Sequence, residues 1–220
     1  MPRISADARR AYTAERRKHI LSAAAKTFAA KGYERATIAD IARAARVAEG
    51  SIYNYFKNKG DLLVSIPRQM IEPKVVAVSA EALRSFSAET ASPEQVLTMV
   101  AQNVITVVQQ NAQIFRILVS ALPSMNQATR QKYMQQVVLY ATGVLEGYFQ
   151  EQIKQGVLRK GLKPRILARA FIGMFFPFVM LRDVLQVETD ADWSDDQLIA
   201  DLVPLFLNGV LANKSEGKSK

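Results

Sequence analysis

The sequence predicts an all-α fold of about nine helices, in which a small three-helix head precedes a larger helical-bundle body. Three observations support this prediction. Nearly every long segment repeats apolar residues at helical spacing, and no segment alternates apolar and polar residues as a half-exposed strand does. Capping residues, prolines and glycines divide the chain into segments of helical length. Of the 220 residues, 49% are hydrophobic and 22% are charged, which is typical of a globular protein.

The first helix of the head is predicted over residues 14–31. Its apolar residues, from Ile20 to Phe28, fall on one face, and lysines and arginines surround the rest of the helix. Gly32 ends the helix, as a glycine often does at a helix C-terminus. The residues before it, 1–13, are predicted to form a flexible basic arm.

Two shorter helices joined by a tight turn complete the head. Thr37 is a predicted N-cap, and Asp40 three residues later is its partner at the start of the second helix. The third helix fits residues 49–55, where Ile52 and Phe56 lie about one turn apart and point inward. A long helix followed by two short ones is the anatomy of a helix-turn-helix.

The body contains longer helices. Ser92 opens one of them as an N-cap with proline at the next position, and Ser194 opens the last one in a predicted capping box with Gln197. The predicted divisions of the chain are a flexible basic arm (1–13), a helix-turn-helix domain (14–60), a helical body (61–213) and a disordered polar tail (214–220).

The net charge of +9 is concentrated in the head. Residues 1–66 contain 13 Lys and Arg against 6 Asp and Glu, whereas the rest of the chain contains 16 against 14. A basic head on a near-neutral body indicates that the head binds a polyanion such as a nucleic acid. A solvated basic surface without a partner would have the same composition, so charge alone leaves both interpretations open.

The sequence offers no support for an enzyme or a metal protein. It has no cysteine, and its one histidine, His19, lies on the polar side of the first helix. A single histidine there supplies neither a multi-histidine metal site nor a catalytic triad, and we expect it to be exposed to solvent. No glycine-rich phosphate loop is present. We therefore predict no enzymatic activity, no metal and no cofactor.

The sequence also predicts a cytoplasmic protein. The N-terminal residues lack the apolar core of a secretion signal. The longest apolar run, from Ala170 to Leu181, has 12 residues, which is too short to span a bilayer and is typical of a buried helix. No membrane partner is expected, and binding to DNA would associate the protein with the nucleoid.

The outward face of the third helix is small and polar. Gly50, Ser51 and Asn54 lie opposite the inward-pointing residues. Such a face can enter a major groove without steric conflict, and its Ser and Asn side chains can bond to base edges. The flanking hydroxyls of Tyr53 and Tyr55 suit phosphate oxygens, which position a protein without reading sequence.

These residues resemble the DNA-binding signature of the TetR/AcrR family of helix-turn-helix transcriptional regulators. The likeness spans residues 15–64 and includes the runs from Thr37 to Ala42 and from Gly50 to Lys59. It implies that the protein binds double-stranded DNA. The implied contact residues are Thr37, Ile38, Glu49, Gly50, Ser51, Tyr53, Asn54, Tyr55, Lys57 and Lys59.

The sequence departs from the family pattern around the turn. Arg46 occupies a position where the family usually has glycine, and a left-handed conformation there would cost about 1–2 kcal/mol. Ala48 replaces the usual capping serine. Glu49 stands where a basic or neutral residue is commoner; it either accepts a hydrogen bond from a cytosine amine or pairs with Arg43 or Arg46.

The resemblance also implies two functions for the body. One is homodimerisation through the last two helices, with apolar residues supplied by Phe171, Phe175, Phe178, Leu185, Leu202, Leu205 and Phe206. The other is a cavity for a small-molecule effector, whose candidate lining residues are Met99, Asn103, Phe115, Tyr133, Phe171, Met174 and Phe175. The same stripes also fit a plain core. The apolar, near-neutral body favours a hydrophobic or cationic-lipophilic effector over a phosphorylated one.

The sequence therefore predicts a repressor that binds a near-palindromic operator as a dimer and is released by a small molecule. Two alternatives remain open at this stage. A sequence-nonspecific architectural protein would use the same basic head and would protect random DNA evenly. A small-molecule-binding or catalytic helical protein with a vestigial head would bind its ligand but no DNA.

Overall fold

The structure, a computed structural model, describes residues 5–69, 92–187 and 193–211. Its regular secondary structure is helical apart from one isolated antiparallel bridge between Leu158 and Leu211, so the all-α prediction is confirmed. In chain order the helices are α1 (Ala6–Lys31), α2 (Ile38–Ala44), α3 (Glu49–Tyr53), α4 (59–69), α5 (Pro93–Gln110), α6 (Ala112–Ala121), α7 (Gln127–Tyr133), α8 (Leu139–Lys154), α9 (Pro164–Val179) and α10 (Asp195–Val210).

Short irregular helical segments follow three of these helices. A 3₁₀ turn (Leu122–Ser124) contains Pro123, which ends α6 as its missing N–H predicts. Two π-helical segments, Met134–Val138 and Met180–Leu185, follow α7 and α9. The first connects α7 to α8, so residues 127–154 form one helical run that a π segment interrupts. The predicted tail, 214–220, lies outside the described residues.

The chain folds into two compact units. The first contains residues 1–70 and 113–137 and includes the whole predicted helix-turn-helix segment. Its core joins the apolar face of α1 to α2, α3 and α4, and the fully buried large side chains include Phe28 and Phe56. Leu118 of α6 packs into the same core, although it lies far along the chain. The Gln113 side-chain amide adds a 2.8 Å hydrogen bond to the carbonyl oxygen of Ala29 in α1.

Helix α1 begins at Ala6, eight residues before the predicted start. The side-chain oxygen of Ser5 accepts a hydrogen bond of 3.2 Å from the backbone N–H of Ala8, and so caps the helix. Residues 6–13, predicted to belong to a flexible arm, are therefore helical. Apolar periodicity did not reveal this extension because the side chains of residues 7–15 are all exposed, and no apolar stripe is needed there.

The second unit contains residues 71–112 and 138–220, and its core is rich in aromatic rings. Phe171 of α9 meets Phe206 of α10 edge-on, with ring centroids 5.1 Å apart, and Phe149 of α8 lies 5.7 Å from Phe206. Phe175 is 5.3 Å from Phe171, and all four phenylalanines are buried. Edge-to-face rings at these distances are a favourable arrangement for aromatic cores.

This core corrects part of the predicted dimer surface. Phe171, Phe175 and Phe206 lie inside the chain's own core and cannot cover a partner subunit. Of the other predicted interface residues, Leu185 and Leu205 are exposed, while Phe178 and Leu202 are half-buried. The apolar face of α9 is wide, so that one side of it packs into the core while the other side is exposed. Apolar periodicity does not show where the buried part of such a face ends.

Two helices of the second unit begin at the N-cap residues that the sequence predicts, Ser92 and Ser194, but only the first has a complete capping box. The capping box of Ser92 and Gln95 is complete, with hydrogen bonds of 3.2 and 2.8 Å. Ser194 accepts a hydrogen bond from the backbone N–H of Gln197 at 3.1 Å. The Gln197 side chain, however, donates to Asp201 one turn later, so the predicted reciprocal half of this box is replaced.

One described helical segment, Pro164–Leu185, is long and apolar enough to cross a membrane by length and composition alone. The buried core helix of a soluble protein meets the same two criteria. The buried residues of this segment include Phe171 and Phe175, which belong to the core of the second unit.

Candidate nucleic-acid interface

A complete capping box fixes the start of α2. The Thr37 hydroxyl accepts a hydrogen bond from the backbone N–H of Asp40 at 3.1 Å, and the Asp40 carboxylate accepts one from the backbone N–H of Thr37 at 3.2 Å. The predicted cap is thus confirmed. Thr37 is exposed, and its hydroxyl hydrogen remains available to an acceptor such as a phosphate oxygen.

Electrostatics reinforce this cap. The Lys31 ammonium lies 2.7 Å from the Asp40 carboxylate. Its hydrogen bond, followed by those from Thr37, lowers the pKa of Asp40 to about 2. Because the folded pKa is depressed, the carboxylate stabilises the fold above its unfolded pKa, and this contribution is lost as the pH falls towards about 2. The start of α2 is therefore held in the same state across the physiological range.

The turn between α2 and α3 is left-handed at Arg46, where φ is 52°. The sequence predicted strain of about 1–2 kcal/mol at this position if it were left-handed, and the structure shows that it is. The backbone N–H of Val47 donates to the Ala42 carbonyl at 3.0 Å and closes the turn.

His19 connects α1 to the end of α2. It is exposed as predicted, but its Nε2 also donates a hydrogen bond to the Ala45 carbonyl at 2.9 Å.

Helix α3 presents a short exposed rod that is braced from behind. Ile52 and Phe56 are 0% and 1% exposed, so they anchor the rod in the core of the first unit. On the other side Gly50 is exposed, and a Cβ added to it would meet nothing within 4 Å. Internal packing therefore does not require glycine at this position. The missing side chain leaves room for the close approach of a partner.

The polar residues of the rod are accessible to different degrees. Tyr53 is 54% exposed, and Asn54 and Glu49 are exposed as well, whereas Ser51 and Tyr55 are half-buried. Tyr55 packs partly against the core of the first unit. Ala48, at the N-cap of α3, makes no side-chain capping hydrogen bond, as expected for a residue without a polar side chain. The backbone N–H of Ser51 in the first turn of α3 donates to the carbonyl oxygen of Ala48 at 2.9 Å.

Lys59 has partners within the chain that the sequence did not reveal. Its ammonium donates to the carbonyl oxygens of Tyr33 at 2.8 Å and Glu34 at 3.1 Å, and lies 4.5 Å from the centroid of the Tyr33 ring. Lys59 therefore secures the loop after α1. An ammonium has three donors, so one remains for a phosphate.

Two other predicted DNA contacts differ in exposure. The Lys57 side chain is exposed, whereas the Ile38 side chain is half-buried and packs against the core of the first unit.

A buried ion pair holds the start of α4. The Asp61 side chain is 6% exposed, and its carboxylate accepts hydrogen bonds from the Lys132 ammonium and, at 2.9 Å, from the backbone N–H of Lys57. The Asn58 side chain in turn accepts from the backbone N–H of Asp61 at 2.8 Å. Lys132 belongs to α7, 71 residues away in sequence, so no local pattern points to this contact.

The predicted ligand-lining residues are distributed over both units. Phe115 and Tyr133 belong to the first unit, where burial raises the pKa of the Tyr133 hydroxyl. The remaining five belong to the second: Met99, Asn103, Phe171, Met174 and Phe175. Met99 and Met174 are half-buried, and the Asn103 amide donates to the Met99 carbonyl at 2.8 Å within α5. Among the described residues, no group of three or more acidic or histidine side chains is arranged to hold a metal ion.

Comparison with known proteins places this interface in a family. A model of the bacterial regulatory proteins of the tetR family matches residues 20–66, from the middle of α1 into α4. The helix-turn-helix of this chain is of the TetR type. The transcriptional regulator HbdR of Aromatoleum sp. (strain CIB) is 53% identical over 49 residues, which are 22% of this chain and 21% of that protein.

Longer similarities extend over both units of the chain. The fatty acid metabolism regulator protein of Bacillus subtilis (strain 168) is 27% identical over 154 residues, 70% of this chain and 76% of that protein. The crystal structure of FadR from Bacillus subtilis in complex with stearoyl-CoA covers 87% of this chain and 98% of its own, with 25% identity and a TM-score of 0.66. Thermus thermophilus FadR in complex with lauroyl-CoA shares the fold, with a TM-score of 0.68, 19% identity and coverage of 93% and 100%.

These relatives indicate the class of the protein. The chain has the helix-turn-helix and the fold of TetR-family transcriptional regulators, which are not enzymes. Regulators of this family are soluble cytoplasmic DNA-binding proteins, which agrees with the predicted location.

Proposed function

We propose that this TetR-family regulator is a repressor that binds a near-palindromic operator as a homodimer and is released by a fatty acyl-CoA. The observation that carries the DNA part is the exposed rod of α3, braced by Ile52 and Phe56. Within residues 14–60, Glu49, Gly50, Ser51 and Asn54 face the bases. The backbone is held by Thr37, Ile38, Tyr53, Tyr55, Lys57 and Lys59.

Exposed apolar side chains support a homodimer through the last two helices. On α9, Ile166 and Phe176 are 59% and 52% exposed, and on α10 Leu205 is 63% exposed. The α9 residues share one face with the small residues Ala170 and Gly173, which are also exposed. Such apolar faces often mark protein interfaces. A two-fold dimer would place two α3 helices in major grooves about 34–36 Å apart.

Two relatives guide the choice of effector. The Bacillus subtilis and Thermus thermophilus FadR structures contain stearoyl-CoA and lauroyl-CoA, and the first is 25% identical to this chain. An acyl-CoA joins an apolar chain to a phosphorylated head. Its acyl part corresponds to the apolar effector that the sequence predicts, whereas its head departs from the prediction of an effector without phosphate. The adaptable side chains of Met99 and Met174 suit such a chain. Asn103, Phe171 and Phe175, which belong to the same unit as the two methionines, complete the proposed lining. Release follows if the effector binds the non-operator conformer more tightly.

The DNA part of the proposal is tested by changing base-facing and backbone-facing residues separately. Sites bound by the wild-type protein are first selected from random DNA, and we expect an inverted repeat. Ser51→Ala or Asn54→Ala should then cost about 1–2 kcal/mol at one base position of each half-site. Tyr55→Phe is the matched control and should weaken binding to all sequences equally. Single unrepeated sites would contradict the dimer, and even protection of random DNA would support an architectural protein instead.

The effector part is tested by titrating acyl-CoAs of increasing chain length into the protein bound to its selected operator. We expect a long-chain acyl-CoA to raise the operator Kd at least tenfold, or about 1.4 kcal/mol. Coenzyme A alone and the free fatty acid of the same length are the controls, and neither should match this effect. Equal release by the free acid would reject a role for the phosphorylated head. Binding of acyl-CoA by a protein without DNA affinity would favour the vestigial-head alternative.

A further inference from the structure

Most of the net positive charge of residues 1–66 lies in residues 1–31, before the second and third helices. Residues 1–31 contain 8 Lys and Arg against 2 Asp and Glu, whereas residues 32–66 contain 5 against 4. The segment that reads bases is therefore almost neutral. Affinity for DNA depends strongly on the number of phosphates that a protein neutralises. Seven of the eight cations in residues 1–31 lie on α1, a helix to which the proposed function assigns no contact.

Arginines continue the inward face of α1 beyond the core. Arg9 lies eleven residues before the buried Ile20, and Arg10 lies eleven residues before the buried Leu21. Eleven residues are about three helical turns, so each arginine lies on the same side of the helix as the apolar residue that it precedes. Arg16 lies two turns after Arg9 on this side. The face is thus apolar where it packs on the first unit and basic where the helix extends past that core.

The acidic residues of α1 do little to neutralise this face. Glu15 lies on the opposite side of the helix at 100° per residue. Asp7 approaches Arg10 at 3.9 Å, with side chains 95% and 85% exposed. Surface pairs of this kind contribute about 0–1 kcal/mol and are easily exchanged for another anion. The face of Arg9, Arg10 and Arg16, called here the arginine face, is therefore available to a polyanion.

The arginine face starts beside the recognition helix. The Arg17 guanidinium lies 5.0 Å from the ring centroid of Phe56, which follows α3 by three residues. His19 is bonded to Ala45 at the end of α2. From His19 back to Ala6 the helix is about 20 Å long, at 1.5 Å per residue. That length corresponds to about six base pairs of DNA at 3.4 Å each.

We propose that the arginine face is a second DNA contact, which binds the phosphate backbone beside the bases that α3 reads. This inference rests on the proposed function. Guanidinium groups suit the site because they bond phosphate oxygens in pairs and stay charged at every physiological pH. A membrane surface is a poor occupant, because a membrane-binding helix needs an apolar face beside its basic one. Tyr12 is the one exposed large hydrophobic residue on this half of α1.

The test compares two variants with the same loss of charge. One replaces the arginine face (Arg9→Gln, Arg10→Gln and Arg16→Gln), and the matched control replaces three exposed cations of the second unit (Lys160→Gln, Lys163→Gln and Arg169→Gln). For the first, we expect the slope of log Kd against log salt concentration to fall by about 2–3 for each contacting subunit. Its hydroxyl-radical footprint should shorten beside each half-site while its base preference stays unchanged. The control should keep the wild-type slope and footprint.

Other outcomes separate this inference from the function on which it rests. If the wild-type protein selects no DNA site, the proposed function fails. If it selects an operator and the arginine-face variant keeps the full slope and footprint, the inference alone is overturned. Lost repression with unchanged DNA binding would assign the face to an acidic protein and would also overturn it. A second variant with Lys at the three positions should retain the slope, which shows that charge and not helix stability is responsible.

Discussion

Phe56→Ala is expected to destabilise the first unit by about 3–5 kcal/mol and to abolish operator binding. The Phe56 side chain is 1% exposed and belongs to the same core as Phe28 and Ile52. Its removal leaves a cavity directly behind the recognition rod and also removes the ring on which Arg17 lies. The free energy of unfolding, measured by chemical denaturation, and the operator Kd should both change.

Tyr53→Ala is the matched control for this experiment. Tyr53 ends α3, three residues before Phe56, but its side chain is 54% exposed. Its truncation should therefore change the free energy of unfolding by no more than about 0.5 kcal/mol while still weakening DNA binding. If both variants lost equal stability, or if Phe56→Ala unfolded like the wild type, α3 would not be an exposed rod braced from one side, and the regulator mechanism would lose its geometric basis.

The features that the sequence predicted well depend on neighbouring residues. The capping box of Thr37 and Asp40 and the buried positions of Ile52 and Phe56 are set within one or two helical turns. The left-handed Arg46 was identified because the residue type departs from what the turn conformation prefers. In each case the physical cause lies within a few residues of its effect, so the sequence is enough to find it.

The features that it did not predict depend on distant contacts or on exposed helix. Apolar periodicity shows that one face of α9 is buried but not what buries it, so Phe171 was assigned to a partner subunit instead of to Phe206 of the same chain. The sequence does not predict the hydrogen bonds of Lys59 to the carbonyl oxygens of Tyr33 and Glu34, because these residues lie 26 and 25 residues away along the chain. The extension of α1 from Ala6 has no apolar stripe and depends on its cap alone.

Lys132→Met is expected to destabilise the first unit by about 2–3 kcal/mol, because it leaves the carboxylate of Asp61 buried without its cation. The cost should lie below that of a fully buried pair, since the Lys132 side chain is 32% exposed. The free energy of unfolding from denaturant titration measures the effect. Lys154→Met is the control: Lys154 pairs with Glu151 at 3.4 Å on the surface, and its loss should cost about 0–1 kcal/mol.

A double-mutant cycle with Asp61→Asn distinguishes an ion pair from simple packing of the lysine stem. The asparagine oxygen can still accept from the backbone N–H of Lys57, so the cap at the start of α4 is preserved. We expect the double variant to be more stable than Lys132→Met alone, because no unpaired buried charge remains. Additive losses would mean that Lys132 acts through its hydrocarbon stem. A loss in the double variant that is smaller than the sum of the two single losses would show that the two side chains interact. Helix α7 would then contribute to the stability of the unit that contains α3, and a shift of α7 would change the stability of the DNA-binding surface.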